Sequence, residues 1–398
     1  MGEKLAIEGG KPVRDSFLLF GSPQILQDEI DELVNTLRSG WIGTGPKTHK
    51  FERMFAQYVK ARNAVALNSC TAGLELALDV LGIGPGDEVI TTPITFCATA
   101  NVIVHRGAKP VFADIELPSM NLNPEEIERR ITPRTKAIIP VHFAGRPCRM
   151  DEILDIARRY DLYVIEDAAH AIEAWYRDKK IGSIGDITAF SFYVTKNVVT
   201  GEGGMVTTDR DDWAEEIRIK SLHGISKDAW RRYTEAGFQP YDTLYPGYKF
   251  NMTDLQASLG IHQLARVEEN LVVRERHWMR YNQAFADIPE ITIPPEEEGI
   301  RHARHLYTIL LDIDALKVDR NRFIEVLKAE NIGSGIHFIA LHLHSFYRKS
   351  FGYKRGDFPK AEYVSDRILS LPLSPKLTDE DVDDVIRAVK KVIENVRR

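Results

Sequence analysis

The chain is 398 residues long, 43% hydrophobic and 28% charged, enough to build one large core and one smaller one. Its formal net charge of -6 exerts no overall pull on nucleic acid or an anionic membrane, so an anionic ligand needs a locally cationic site. The three cysteines, Cys70, Cys97 and Cys148, lack metal-ligand spacing and read as small buried residues of a reducing compartment. With no signal-peptide, myristoylation or membrane-spanning pattern, the expected location is cytoplasmic.

From about residue 50 to about 210, strand-like and helix-like segments alternate at the spacing of α/β units. Short apolar runs at 64–67, 88–91, 110–113, 137–141, 163–165, 187–192 and 204–208 are nearly continuous in hydrophobic character, the pattern of strands covered on both faces. Between them, Leu74, Leu78 and Leu81 make a helical stripe ending at Gly82, and Ile153, Ala157 and Tyr160 make another. A long helical stretch is predicted from about Thr253 to about Phe285, then a break at the Pro-bearing segment 293–298. The remainder mixes a strand at 308–311 with helices at 320–330 and 379–396. The expected architecture is a large domain over 15–270 with a mostly parallel seven-stranded sheet between helices. A smaller α+β domain over 271–398 follows, with 1–14 as an N-terminal segment.

Ligands of open α/β sheets bind beyond the carboxyl ends of the strands, so the residues after each strand carry the functional signal. After 64–67 comes Asn68-Ser69-Cys70-Thr71-Ala72-Gly73, small residues opening a helix. There, free backbone N–H groups and the helix dipole favour a phosphate, although Ser69 is also an ordinary N-cap. After 88–91 comes Phe96, which either stacks on a ligand ring or fills the core, the commoner place for a large aromatic. After 163–165 comes Glu166-Asp167-Ala168-Ala169-His170. Asp167 is either a turn aspartate or the carboxylate that keeps a pyridine nitrogen protonated, so that the ring can accept a carbanion's electrons. After 187–192 come Lys196 and the turn Gly201-Glu202-Gly203-Gly204; a desolvated lysine there has the lowered pKa of a nucleophilic amine. Each signal is ordinary alone. Together, past different strands of one sheet, they compose a site for pyridoxal 5'-phosphate (PLP), with Lys196 as its Schiff-base residue.

Two tempting features are set aside. His337, His342 and His344 lack the carboxylate or cysteine that would complete a known metal spacing. Gly82-Ile83-Gly84-Pro85-Gly86 follows a helix rather than a strand, which makes it a turn and not a dinucleotide fingerprint.

The wording of residues 40–46, 68–73, 84–90, 165–171, 190–204 and 246–254, together with Glu8-Gly9-Gly10-Lys11-Pro12-Val13-Arg14, resembles the DegT/StrS-like sugar-nucleotide aminotransferases of PLP fold type I, in the family's order and over nearly the whole chain. The phrases at 40–46, 132–142 and 246–254 are most similar to the subgroup forming UDP-4-amino-4-deoxy-L-arabinose. The resemblance implies that Lys196 and Asp167 are catalytic, that His170 lies near the cofactor's phenolic oxygen, and that Phe96 stacks on the ring. Many relatives carry Gln where His170 stands. It further implies that Thr71, Ala72 and Ser191 hold the phosphate and that Asn251 reaches the phosphate of the neighbouring subunit's cofactor. The implied enzyme is a homodimer with shared active sites that alternates between PLP and its amino form, PMP. It moves an amino group from a donor such as L-glutamate to a keto sugar, a 4-keto nucleotide sugar.

A PLP-dependent sugar dehydratase on the same fold would replace the lysine with histidine, and a non-catalytic regulatory relative would not need Asp167, Ser191 and Lys196 together. The sugar and its base are not legible. The segment 222–247, with His223, Trp230, Arg231, Arg232, Tyr241 and Tyr245, is either a diphosphate-binding or dimer-crossing loop or a solvated surface loop.

Overall fold

The structure, a computed structural model, describes residues 3–226 and 242–398. The seven anticipated runs form strands Asn63–Leu67, Glu88–Thr91, Lys109–Phe112, Thr135–Ile139, Tyr163–Asp167, Ile187–Ser191 and Gly204–Thr208. They build one sheet in the spatial order 63–67, 204–208, 187–191, 163–167, 135–139, 88–91, 109–112. Strand 204–208 pairs antiparallel with both of its neighbours; the remaining pairings are parallel. The apolar continuity of these strands has a direct cause. Alternate side chains point to opposite faces of a sheet, and here each face meets a different core. Ile90, Ile138, Val164, Phe190 and Met205 enter one apolar cluster, while Val89, Ile139, Ile165, Ala189 and Val206 enter the other.

Helix Cys70–Val80 is capped by Ser69, whose hydroxyl accepts from the Ala72 N–H at 3.1 Å, and Gly82 follows with a φ of +69°, a left-handed stop suited to glycine. The stretch expected as one helix from 253 to 285 is two, Asp254–Ala265 and Val267–Phe285. They part at Arg266, whose φ of -110° and ψ of 12° leave the helical region, and whose guanidinium turns aside to the Gln24 carbonyl and the Glu29 carboxylate.

A second sheet joins strands Ile291–Thr292, Tyr307–Leu311 and Ile368–Leu371, all antiparallel. Helix Asp379–Val396 covers it with Val382, Val385, Val389 and Val392, and Trp278, Tyr281 and Phe285 complete this core. The N-terminal segment docks here too. Leu5 is buried in it, and the carboxylate of buried Glu330 accepts from the Ala6 and Val13 N–H groups and from Lys391. No helix among the described residues is long and apolar enough to cross a membrane.

Candidate active site

Strand 63–67 and the five parallel strands all run the same way, so the residues that follow them collect along one edge of the sheet. A cavity of about 470 Å³ opens at that edge, within the size range of small-molecule sites. Ser69, Cys70 and Thr71 line it from the first helical turn after strand 63–67, Thr95, Phe96 and Thr99 from beyond 88–91, and Asp167 and His170 from the end of 163–167. Ser191, Tyr193 and Lys196 come from beyond 187–191, and Glu202 and Gly203 precede the antiparallel strand. His337 and Phe338, from the chain between strands 307–311 and 368–371, close the cavity.

Asp167 is buried and accepts from the Thr99 hydroxyl at 2.8 Å and the Ala169 N–H at 3.1 Å. Thr99 is steadied by the Thr95 hydroxyl, 2.8 Å away. Burial pushes the Asp167 carboxyl up, while Thr99, Ala169 and the nearby charge of Lys196 pull it down. Packing around Lys196 lowers its ammonium to about 8, against a smaller opposing effect of Cys70 and Asp167. Three imidazoles lie near this amine, and burial followed by the charge of Lys196 holds each below the ordinary histidine value. His337 falls to about 4, and His170 and His305 are well below 6.5. The His170 and His305 rings are 4.4 Å apart, and Nδ1 of His170 is buried without a partner.

The expected residues are distributed as follows. Thr71, Phe96, Asp167, His170, Ser191 and Lys196 share the cavity. Phe96 is 61% exposed, so the core alternative for it fails. Ala72 is buried and does not line the cavity; its N–H is engaged by Ser69, as the N-cap alternative for that serine requires. Asn251 also lies outside the lining and donates to the Thr44 hydroxyl at 2.7 Å. Of the three histidines set aside, His337 lines the cavity, His342 bonds Glu362 at 3.0 Å, and His344 points to the Ile339 carbonyl at 3.3 Å. His305, His337, Phe338 and Thr99 carry no local sequence signal for the site. Trp230, Arg231, Arg232 and Tyr241 lie outside the described residues.

The donor set fits PLP: a buried carboxylate for the pyridine nitrogen, a low-pKa amine for the aldehyde carbon, an unpartnered imidazole nitrogen, an exposed aromatic plate and a helix N-terminus for the phosphate. The fold and this site define a PLP-dependent aminotransferase. Residues 23–390 match the DegT/DnrJ/EryC1/StrS aminotransferase family, and the chain belongs to that family. It is 58% identical over 385 residues to protein MJ1066 of Methanocaldococcus jannaschii, covering 97% of this chain and 100% of that protein. It is 52% identical over 381 residues to the spore coat polysaccharide biosynthesis protein SpsC of Bacillus subtilis, covering 96% and 98%. Its fold matches the PLP form of Spr1654 from Streptococcus pneumoniae, assigned as a sugar aminotransferase, with a TM-score of 0.90, 38% identity and coverage of 96% and 100%.

Proposed function

We propose that the enzyme transfers the amino group of L-glutamate to the keto carbon of a 4-keto nucleotide sugar. The observation that carries this reading is the meeting of Lys196 and Asp167, from the ends of adjacent strands, in one cavity. Lys196 would hold the cofactor through its amine, with Asp167 as partner for the pyridine nitrogen, His170 for the phenolic oxygen and Phe96 for the face of the ring. Thr71 and Ser191, which line the cavity, and Ala72 next to Thr71 would receive the phosphate. When bound, PLP supplies an electron sink for the carbon that loses a proton.

The protein's own part is proton handling and exclusion of competing charge. An amine lowered to about 8 is available near neutral pH to take a proton from one carbon and return it to another. The imidazoles around it are held neutral, so they add no cation that would compete for Asp167. The relationship to SpsC supports an acceptor from polysaccharide assembly, hence a nucleotide-linked sugar. Cys70, Cys97 and Cys148 of this chain are free thiols, consistent with a cytoplasmic enzyme.

The active unit is a homodimer with shared sites. Ile25, Leu26, Ile30, Leu37, Trp41 and Ile42 are each at least 40% exposed within residues 25–42, an apolar stretch of the kind that marks an interface. Asn251, anchored to Thr44 and outside its own cavity, serves the neighbour's phosphate. The test is an acceptor screen with L-glutamate as donor, setting 4-keto nucleotide sugars beside simple aldehydes and ketones. Turnover confined to the nucleotide sugars is expected; equal turnover of simple ketones would overturn the acceptor assignment.

A further inference from the structure

Behind Lys196 lies a largely buried polar chain that the transfer chemistry does not itself require. Asn197, the next residue, places its Nδ2 2.8 Å from Glu173 Oε2 and 3.0 Å from the Ala303 carbonyl oxygen, and its Oδ1 3.0 Å from His305 Nδ1. Glu173 is 0% exposed, and its other oxygen pairs with Arg274, 1% exposed. Arg274 is held in turn by the Arg304 carbonyl at 3.1 Å. His305 lies on the far side of Asn197. With Lys196 and His337, it lines a cavity of about 30 Å³, room for a single water.

The donor and acceptor inventory of this chain admits one arrangement. A backbone carbonyl only accepts, and so does a carboxylate, so the Asn197 atom facing both must be its NH₂. Its carbonyl oxygen therefore faces His305, and a carbonyl oxygen needs a donor there, so the proton of His305 sits on Nδ1. We propose that Glu173, with Arg274 behind it, is a positioning residue. It pins Asn197 beside Lys196, fixing His305 as the Nδ1–H tautomer, and Nε2 is left as a hydrogen-bond acceptor on a ring that shares a small cavity with Lys196.

Burial and the charge of Lys196 hold His305 well below the ordinary histidine value, so its tautomer and not its charge decides whether each ring nitrogen donates or accepts. Burial pushes Glu173 up, and Arg274 and Asn197 oppose this. The consequence for turnover rests on Lys196 being the working amine; the tautomer does not.

Neutron diffraction on the perdeuterated holoenzyme reads the proton directly. Deuterium on Nδ1 of His305 and none on Nε2 is expected; the reverse would overturn the proposal whatever the acceptor proves to be. Glu173→Gln should set an NH₂ against either Arg274 or Asn197. The ¹⁵N signals of His305 should then show a mixed tautomer, and kcat should fall about tenfold with KM for L-glutamate little changed. Glu173→Gln with Arg274→Met removes the cation, lets the Gln oxygen turn to Asn197, and should restore the single tautomer and most of kcat. A folded Glu173→Gln enzyme with the wild-type ¹⁵N pattern and kcat would sink the positioning role. Should that variant fail to fold, the wild-type neutron map decides the tautomer and the double variant decides the role: without the single tautomer and most of kcat, the role fails.

Discussion

Lys196 is a lysine that its surroundings partly deprive of a charge. Packing removes water from the ammonium, and no carboxylate among the described residues bonds it directly; Asp167, the nearest one in effect, is occupied by Thr99 and Ala169. In the cofactor-free chain, acylation of this amine should rise with pH about a midpoint near 8. A midpoint near the ordinary lysine value of about 10.4 would mean that burial is not felt. Asp167 makes the complementary case. Burial raises its carboxyl, so in the empty site its charge is costly, and a pyridinium partner would supply the compensation. Asp167→Asn keeps the shape and removes the charge. Both half-reactions should slow by roughly 10²-fold or more, the range of a lost acid–base partner, with PLP still bound. Half-reactions at the wild-type rate in stopped-flow would reduce Asp167 to a turn residue.

At the scale of elements, the cavity depends on how closely the start of strand 204–208 approaches the start of helix Cys70–Val80. A Cβ on Gly204 would overlap the backbone of Ser69 and Cys70, so only glycine lets these two elements meet. Gly204→Ala should cost about 2 kcal/mol or more, as overpacking of a tight contact does, and should weaken PLP binding because Ser69 to Thr71 move with the helix. Thermal melts with and without PLP would check it; an unchanged apo melting temperature together with unchanged PLP affinity would contradict this reading. The helical stretch 253–285 gives a different lesson. Its apolar periodicity carries on across Arg266, but the ion pair and carbonyl contact of that arginine, made with residues 24 and 29, interrupt the helix.

For the whole molecule, the question is where the active site ends. If Asn251 serves the neighbour, inactive Lys196→Ala mixed with inactive Asn251→Ala should regain activity through hybrid dimers. Each hybrid holds one site with both defects and one with neither, as twofold symmetry requires. Activity should approach a quarter of wild type at full random exchange: half of the dimers are hybrids with one good site of two. If exchange is demonstrated and the mixture stays inactive, both residues belong to one subunit's site.

The sequence alone determined the sheet, its mostly parallel character and the gathering of Thr71, Phe96, Asp167, His170, Ser191 and Lys196 at one edge of it, because each of these is written locally. A strand covered on both faces must be apolar throughout, and the residues just past parallel strands must gather on one edge; Asp167, Ser191 and Lys196 were legible for that reason. Only the tertiary structure decided that Phe96 is exposed at the cavity and not in the core, and that Asn251 lies outside its own cavity. The same holds for His305, His337, Phe338 and Glu173, which join Lys196 from residues at least 23 positions away. Their side chains have no periodicity or turn chemistry to announce them. Hydrogen-bond partners so far apart in the chain are chosen by how two cores pack together, and that choice leaves no mark in any short stretch of sequence.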